Sequence, residues 1–263
     1  MENFRFKKSL GQNFLKDDNI VKKIVSSSGV DKDTLVIEIG PGAGSLSKEI
    51  IPLAGYTLMY EIDERLKVQL NTLLKDKGNY EIIFGDFLQQ DVCMDIDKFK
   101  GRFKKLYVVA NLPYYITTPI ITKLINEVMP DRIVIMIQEE VADRLSAVVS
   151  TRNYGMISAL IGCRYEVLKL FTVSRNCFIP APNVDSAVIC LNKKDMVESF
   201  DYCKYEKLLK NAFQFKRKNL KNNLRLYDLN LISSILMQHG YTLNNRAEDI
   251  PIDVWIDIVN HID

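Results

Sequence analysis

The chain has 263 residues, of which 47% are hydrophobic and 26% are charged, and its formal net charge is +2. This composition excludes an intrinsically disordered chain and allows one large globular domain plus a smaller one, each with its own core. The net charge is too weak to indicate a nucleic-acid partner by itself. Such a partner therefore has to be argued from where the charges lie along the chain.

Cysteine and histidine are too sparse to suggest a cross-linked or metal-bound protein. The five cysteines form no close pair, and there are only two histidines. We expect reduced thiols and no metal site. The first fifteen residues lack the apolar core of a signal peptide, and no apolar run approaches the roughly 18 residues of a membrane span. We therefore expect a cytoplasmic protein without a membrane partner.

Short apolar runs alternate with helical patterns over the first half of the chain. The runs show no polar alternation, which is typical of parallel strands that are buried on both faces. The predicted strands are residues 34–39, 57–62, 81–86, 106–112 and 132–138. The predicted helices between them are residues 43–54, 64–76 and 119–129. This order predicts an α/β fold with a doubly wound, mostly parallel sheet.

The second half of the chain changes character twice. Two more strands are predicted at residues 164–173 and 185–194, separated by a proline-rich turn, and an antiparallel hairpin at one sheet edge would accommodate them. Beyond residue 194 the pattern is helical, with segments at 205–224, 230–240 and 252–262. We therefore predict a larger domain at residues 1–195 and a small all-helical domain at residues 196–263.

A glycine-rich stretch, EIGPGAGSL, follows the first predicted strand and opens a helix. Gly40, Gly42 and Gly44 would let the backbone turn tightly and approach a ligand, and helix-terminal amides favour an anionic group. This indicates a nucleotide-type cofactor. The dinucleotide fingerprint would need glycine where Ser45 stands, which argues against a nicotinamide dehydrogenase. A purely structural tight turn is the alternative.

Polar residues end the next three predicted strands. Glu61, Asp86 and Asn111 lie at the ends of the second, third and fourth strands, and a ligand in a doubly wound sheet lies outside these carboxyl ends. A carboxylate at the end of the second strand can accept both hydroxyls of an adenosine ribose. Asp86 alone could equally be a helix N-cap. Glu38 lies in the same region, and carboxylates there would suit a cationic ligand such as the sulfonium of S-adenosylmethionine.

The tetrapeptide Asn111, Leu112, Pro113 and Tyr114 suggests chemistry on an aromatic amine. Adenine N6 is a poor nucleophile because its lone pair is delocalised into the ring. The Asn111 side-chain oxygen and a backbone carbonyl held by Leu112 and Pro113 could accept its two hydrogens and stabilise the positive charge that develops during methylation. Tyr114 would stack on the base. No separate general base is needed, since the methylated ammonium is already acidic.

Eight motifs, in order, resemble those of one enzyme family. They are GQNFL, EIGPGAGSL, YEID, GDF, NLPYYITTP, QEEVADRL, YGMISALI and FIPAPNVDSAV, and they span most of the first 225 residues. They are similar to the ribosomal RNA adenine N6,N6-dimethyltransferase family, and within it most similar to the small-subunit group. The resemblance implies a Rossmann-like methyltransferase domain, a small helical C-terminal domain, S-adenosylmethionine as donor, and dimethylation of two adjacent adenosines near the 3′ end of small-subunit rRNA.

The resemblance also assigns site residues. Together with the glycine loop, it implies a donor site of Asn13, Leu15, Gly40, Gly42, Glu61, Asp86 and Asn111. The implied catalytic set is Asn111, Leu112, Pro113, Tyr114 and Phe178, with Phe178 holding the target base against Tyr114. Relatives often have Asn or His where this chain has Tyr115, which leaves the role of Tyr115 unassigned.

Clusters of cations suggest where RNA would be held. The expected contacts are Lys7, Lys8, Lys216, Arg217, Lys218, Lys221 and Arg225. The second group is interleaved with Phe213 and Phe215, which favours RNA contact over a merely solvated helix face. Lys104 and Lys105 are interpreted as ordinary surface charge. The expected partner is ribosomal RNA, within an immature small subunit, and the expected state is a monomer.

Two alternative functions stay open at this point. The first is a large-subunit rRNA adenine N6-methyltransferase of the macrolide-resistance type, which is a sister group to the small-subunit enzymes. The second is an RNA-binding ribosome-assembly or transcription factor that keeps the fold without needing catalysis. The intact glycine loop and the intact tetrapeptide at Asn111 argue against a loss of activity.

Overall fold

A computed structural model describes residues 13–195 and 199–262. The chain forms two compact units, one of Met1–Ala142 with Leu168–Lys193 and the other of Asp143–Val167 with Lys194–Asp263. This division differs from the predicted boundary in one segment: residues 143–167 were expected in the larger domain but group with the helical unit. Within those residues, Ala159 and Leu160 are buried in the same core as Leu208 and Trp255, which is the physical reason for the grouping.

The described residues form nine strands and eleven α-helices, joined by short 3₁₀ turns and by one π-helical segment, Leu124–Val128. The strands are β1 (Phe14–Leu15), β2 (Thr34–Ile39), β3 (Tyr56–Glu61), β4 (Tyr80–Phe84), β5 (Lys105–Asn111), β6 (Arg132–Gln138), β7 (Tyr165–Val173), β8 (Phe178–Ile179) and β9 (Ser186–Lys193). The helices are α1 (Asp18–Ser28), α2 (Ser47–Ile50), α3 (Lys67–Leu74), α4 (Val92–Asp97), α5 (Thr117–Lys123), α6 (Glu139–Leu145), α7 (Met156–Gly162), α8 (Tyr202–Ala212), α9 (Leu220–Asn223), α10 (Leu229–Gln238) and α11 (Ile252–His261). Among these helices none is both long and apolar enough to cross a bilayer.

Seven strands build the central sheet, in the order β4-β3-β2-β5-β6-β9-β7. The first five of these pair in parallel, and β9 pairs antiparallel with β6. The apolar run of β2 is buried at all six positions, as expected for a strand covered on both faces. The predicted α/β fold is confirmed, and β7 and β9 lie side by side at one edge, where the hairpin was expected.

Strand order fixes the position of the site. Starting from β2, the chain builds outward through β3 and β4 on one side, then returns to place β5 on the other side of β2. Parallel strands that diverge in this way leave a crevice at their carboxyl ends. Gly40, Glu61 and Asn111 stand at the ends of β2, β3 and β5, and therefore at this crevice.

A separate two-stranded sheet joins distant parts of the sequence. β1 pairs antiparallel with β8, so that Leu15 lies opposite Phe178 and Phe14 opposite Ile179. The Lys16 amide extends the pairing by donating to the Cys177 carbonyl at 2.9 Å. This sheet was not predicted, because strands of two residues carry no periodic signal.

The helical unit packs around Trp255, which is fully buried together with Tyr205 and Leu236. One predicted helix, residues 205–224, is in fact broken: α8 ends at Ala212 and α9 begins only at Leu220. The buried Asn223 side chain holds the break by donating to the Ala212 carbonyl at 2.7 Å and to the Phe215 carbonyl at 3.3 Å. The chain between the two helices is therefore an ordered turn.

Candidate functional site

A cleft with an empty volume of about 750 Å³ opens at the carboxyl ends of β2, β3 and β5. Its lining residues are Asn13, Phe14, Leu15, Glu38, Gly40, Pro41, Gly42, Ala43, Ser45, Leu46, Glu61, Ile62, Asn111, Leu112, Pro113 and Tyr114. The structure thus brings together most of the predicted donor site with the predicted catalytic tetrapeptide.

The glycine loop needs its glycines for conformation and for space. Gly42 has a φ of 59°, and a Cβ there would lie 2.9 Å from the Phe14 ring. Gly44 has a φ of 81°, and a Cβ there would lie 2.4 Å from a methyl group of Leu73. Positive φ is readily available only to glycine. Larger residues would therefore strain the loop and narrow the cleft on the side of Gly42.

Glu61 is held rigidly where β3 meets the cleft. One carboxylate oxygen accepts from the Gly42 amide at 2.9 Å and the other from the Asp63 amide at 2.8 Å. Burial raises the pKa of Glu61, and these backbone hydrogen bonds partly oppose that rise. Each carboxylate oxygen can accept a second hydrogen bond. The carboxylate is therefore oriented by the protein and still able to accept from two hydroxyls of a ligand.

Glu38 supplies a buried acceptor that the protein leaves unsatisfied. Its side chain is 1% exposed, lines the cleft, and has no hydrogen-bond partner for Oε2 among the described residues. Burial raises the pKa of Glu38 to about 8, and Ser47 opposes part of this effect. S-adenosylmethionine carries a sulfonium and an ammonium group, so a carboxyl in this position fits it. The open glycine loop and the oriented Glu61 fit its adenosine in the same way.

The raised pKa of Glu38 predicts a pH-dependent stability. The folded protein holds this proton up to about pH 8, whereas the unfolded chain releases it near 4.5. The contribution of Glu38 therefore falls as the pH rises through this window. Glu38→Gln keeps the size of the side chain and removes its titration. From pH 5 to pH 8.5, its free energy of unfolding should therefore rise relative to that of the parent protein by on the order of 1–4 kcal/mol. Urea unfolding at both pH values measures the difference.

The matched control for this measurement is Glu64→Gln, at an exposed glutamate after β3. Its stability curve should run parallel to that of the parent protein over the same pH range. If the Glu38→Gln curve also ran parallel, the buried carboxyl would not titrate in this window.

Asn111 ends β5 with its side-chain amide oriented by the backbone. Its Nδ2 donates to the Asn13 carbonyl at 3.4 Å. Because a carbonyl can only accept, the amide must turn its NH₂ group to Asn13 and leave Oδ1 available as an acceptor. The Leu112 amide donates to the Met136 carbonyl at 3.1 Å, and the Leu112 carbonyl makes no hydrogen bond with the described residues. Two acceptors, one from each residue, are thus available at the cleft.

Tyr114 and Phe178, the two predicted base-stacking aromatics, differ in their surroundings. Tyr114 lines the cleft, and its hydroxyl makes a 2.7 Å hydrogen bond with the hydroxyl of Ser186. Phe178 is only 2% exposed, is not among the lining residues, and packs in a core with Leu15 and Val25. The structure therefore presents one ring of the expected pair to the cleft, and the pairing of β1 with β8 buries the other.

Asp86 also lies outside the cleft lining of the described residues. Its carboxylate accepts from the Leu88 amide at 3.0 Å and so caps the short 3₁₀ turn that follows β4. This is the N-cap that the sequence offered as the alternative. The lining residues that the sequence did not predict are Phe14, Pro41, Ala43, Ser45, Leu46 and Ile62. Ser45 donates to the Leu15 carbonyl at 3.0 Å, which ties the glycine loop to β1, and no sequence motif signals this contact.

The predicted cations of the helical unit lie on and after the ordered turn between α8 and α9. Lys216, Arg217, Lys218, Lys221 and Arg225 are all exposed, and none of them forms an ion pair with a described residue. By contrast, Lys104 and Lys105 pair with Asp33 and Asp31. Lys7 and Lys8 lie outside the described residues.

The two phenylalanines of this turn do not share a role. Phe213 packs against Trp255 and Tyr154, with ring centroids 6.3 Å apart in both cases. Phe215 is 56% exposed. Phe213 therefore belongs to the core of the helical unit, and Phe215 is the aromatic ring that stands among the cations.

Comparison with known proteins identifies a family over nearly the whole chain. Residues 3–263 match the family described as ribosomal RNA adenine dimethylase. The ribosomal RNA small subunit methyltransferase A of Oceanobacillus iheyensis is 38% identical over 98% of this chain and 90% of its own length. The protein of the same name from Aster yellows witches'-broom phytoplasma is 40% identical over 95% of this chain and 93% of its own length.

Two solved structures share the fold at lower identity. A dimethyladenosine transferase from Plasmodium falciparum superposes with a TM-score of 0.79 at 24% identity, covering 93% of this chain and 95% of that one. The 23S rRNA methyltransferase ErmE superposes with a TM-score of 0.73 at 24% identity, covering 94% of this chain and 98% of that one. The family match, the related sequences and the donor cleft agree. This chain belongs to the ribosomal RNA adenine dimethylase family and uses S-adenosylmethionine as its methyl donor.

Proposed function

We propose that this enzyme transfers methyl groups to N6 of two adjacent adenosines near the 3′ end of small-subunit rRNA. The full-length relatives named small subunit methyltransferase A support the choice of subunit over the large-subunit alternative. The observation that carries the chemistry is the pair of available acceptors, Asn111 Oδ1 and the Leu112 carbonyl, at the cleft. We further propose that the enzyme acts in the cytoplasm, as a monomer, on an immature small subunit.

The two acceptors account for how a weak nucleophile is activated. S-adenosylmethionine supplies an electrophilic methyl group when it is bound. Asn111 Oδ1 and the Leu112 carbonyl accept the two N6 hydrogens, which turns the nitrogen lone pair out of the ring. Positive charge grows on N6 as the new bond forms, and both acceptors stabilise that charge more than they stabilise the ground state. Deprotonation of the resulting ammonium needs no dedicated base.

We propose that the donor is bound by Glu61, whose carboxylate is oriented by backbone amides, and by Glu38, whose carboxyl has an unsatisfied oxygen. Glu61 would accept the ribose hydroxyls, and Gly40 and Gly42 would leave room for the backbone to approach the donor. Asn13 and Leu15 would close over the donor from β1, next to Asn111. Asp86, which lies outside the lining, is proposed to contact the donor from the end of β4.

The target base is proposed to stack on Tyr114. Its ring lines the cleft, and its hydrogen bond to Ser186 fixes the ring position. Phe178 could complete a sandwich only if its ring is uncovered when RNA binds, because it is packed in the core here. Bringing an adenosine into the cleft requires it to be unstacked, which costs least in a loop.

The helical unit is proposed to hold the RNA backbone through the turn between α8 and α9. Five exposed cations on and after this turn have no acidic partner in the described chain, so their charge is available to phosphates. Lys7 and Lys8 are proposed to add to this grip. This assigns a donor-binding role to the domain predicted at residues 1–195 and an RNA-binding role to residues 196–263.

Labelled methyl transfer to purified ribosomal particles, followed by mapping of the methylated bases, tests the proposed function. We expect label in small-subunit rRNA only, at two adjacent adenosines, with more label in immature particles than in mature ones. Label in large-subunit rRNA would support the macrolide-resistance type instead. Tight binding of small subunits without any transfer would support a non-catalytic assembly factor.

A further inference from the structure

One tyrosine of the chain is placed unlike all the others. The sequence has twelve tyrosines, all within the described residues, and only Tyr115 is exposed, at 53%. Tyrosine is enriched among the residues that contribute most to binding at interfaces. The one other exposed aromatic side chain in the described part of the chain is Phe215, which stands among the unpaired cations of the helical unit. Both exposed rings therefore lie where RNA contact is proposed.

Tyr115 directly follows Tyr114 on a single 3₁₀ turn, Tyr114–Ile116. Successive residues of a 3₁₀ helix are rotated by about 120°, so neighbouring side chains point in different directions. Tyr114 faces the cleft and is tied to Ser186. Tyr115 is not among the lining residues and faces solvent. The turn thus displays one ring inside the cleft and one ring outside it.

Two hydrogen bonds order the backbone of the turn that carries Tyr115. The Pro113 carbonyl accepts from the Thr117 hydroxyl at 3.0 Å and from the Ile116 amide at 3.3 Å. The Tyr115 hydroxyl itself has no hydrogen-bond partner among the described residues. Partial burial and the nearby charge of Asp86 raise the pKa of Tyr115. The backbone under the exposed ring is thus ordered, and the Tyr115 hydroxyl is available to an external partner.

We propose that Tyr115 stacks on the base of the nucleotide next to the target adenosine. This inference rests on the proposed function, in which the two target adenosines are adjacent. Tyr114 lines the cleft, Tyr115 on the next residue stands outside it, and the nucleotide next to an unstacked target base likewise stays outside the cleft. Two rings on neighbouring residues can therefore engage two neighbouring bases. Every base offers a face for such stacking, so Tyr115 positions the strand while Tyr114 holds the base that reacts.

The test compares Tyr115→Ala with Tyr115→Phe, using Val68→Ala as the matched control. Val68 is 77% exposed on α3 of the same unit. KM for small subunits, kcat, and the dissociation constant for small subunits are measured for each protein. We expect Tyr115→Ala to weaken binding and raise KM by roughly 5- to 150-fold, with a smaller change in kcat. Tyr115→Phe, which keeps the ring, should stay close to the parent protein, as should Val68→Ala.

The salt dependence of binding distinguishes a stacking contact from an electrostatic contact. Because stacking releases no counterions, the slope of log Kd against log salt should be the same for Tyr115→Ala and the parent protein. Unchanged KM and Kd in Tyr115→Ala would overturn the inference, and so would a Tyr115→Phe variant as weak as Tyr115→Ala. If the parent protein bound small subunits but methylated nothing, the proposed function would fail, while the Kd comparison would still decide the role of Tyr115.

Discussion

Replacing Asn111 with alanine is expected to lower the rate of methyl transfer by about 10²- to 10³-fold, which is the usual cost of removing one preorganised hydrogen-bonding group that stabilises developing charge. The substitution deletes Oδ1, one of the two acceptors proposed for N6, and leaves the Leu112 carbonyl in place. Asn111 is half-buried at a strand end and is not one of the exposed cations proposed to bind the RNA backbone. We therefore expect the affinity for RNA to stay within a few-fold. Single-turnover transfer and an RNA-binding isotherm measure the two quantities separately.

Two further variants sharpen this test. Asn111→Asp keeps an oxygen that can accept from N6, so it should retain more activity than Asn111→Ala. It loses the donor that faces the Asn13 carbonyl at 3.4 Å, so it should not reach the parent rate. Asn244→Ala removes an exposed asparagine of the other unit and should leave transfer unchanged. A parent-like rate in Asn111→Ala would rule out the acceptor mechanism.

The central sheet was predictable because its strands have no polar face. β2 and β6 begin and end at the predicted residues, since each is a mostly apolar run that is buried almost throughout. In a doubly wound sheet the carboxyl ends of the parallel strands meet at one edge. For this reason the sequence alone was enough to predict that Gly40, Glu61 and Asn111 lie at one cleft. Local pattern and global fold agree for this part of the chain.

Contacts between distant segments could not be predicted in the same way. Strands β1 and β8 have two residues each and lie far apart in the sequence, so no periodicity marks them. Their pairing decides that Phe178 is buried and that Leu15 reaches the cleft. The resemblance therefore named Leu15, which lines the cleft, but the sequence could not show that the Phe178 ring is packed in the core.

The helical unit shows a second limit of pattern reading. The apolar spacing from residue 205 to residue 224 continues a helical period, yet the Asn223 amide bonds two carbonyls across a turn and interrupts the helix. Residues 143–167 likewise carry no signal that their apolar side chains belong to the core around Trp255. In both cases tertiary contacts override local propensity.

The ordered turn between α8 and α9 carries three of the cations that are proposed to bind RNA. Changing Lys216, Arg217 and Lys218 together to glutamate should weaken RNA binding on the order of 10²-fold near 0.1 M salt. The three side chains are exposed and have no ion pair with the described residues, so their replacement breaks no internal contact. The slope of log Kd against log salt should flatten by about 2 to 3, since each lost phosphate contact removes about 0.7 to 0.9.

The matched control changes Lys104 and Lys105 to glutamine. These lysines pair with Asp33 and Asp31 and are expected to contribute nothing to RNA binding, so both the affinity and the salt slope should stay at the parent values. Methyl transfer by the triple glutamate variant should recover when the particle concentration is raised, because the donor cleft is untouched. A salt slope that did not change in the triple variant would remove the turn from the RNA interface. RNA contact would then no longer explain why Phe215, in the same turn, is exposed.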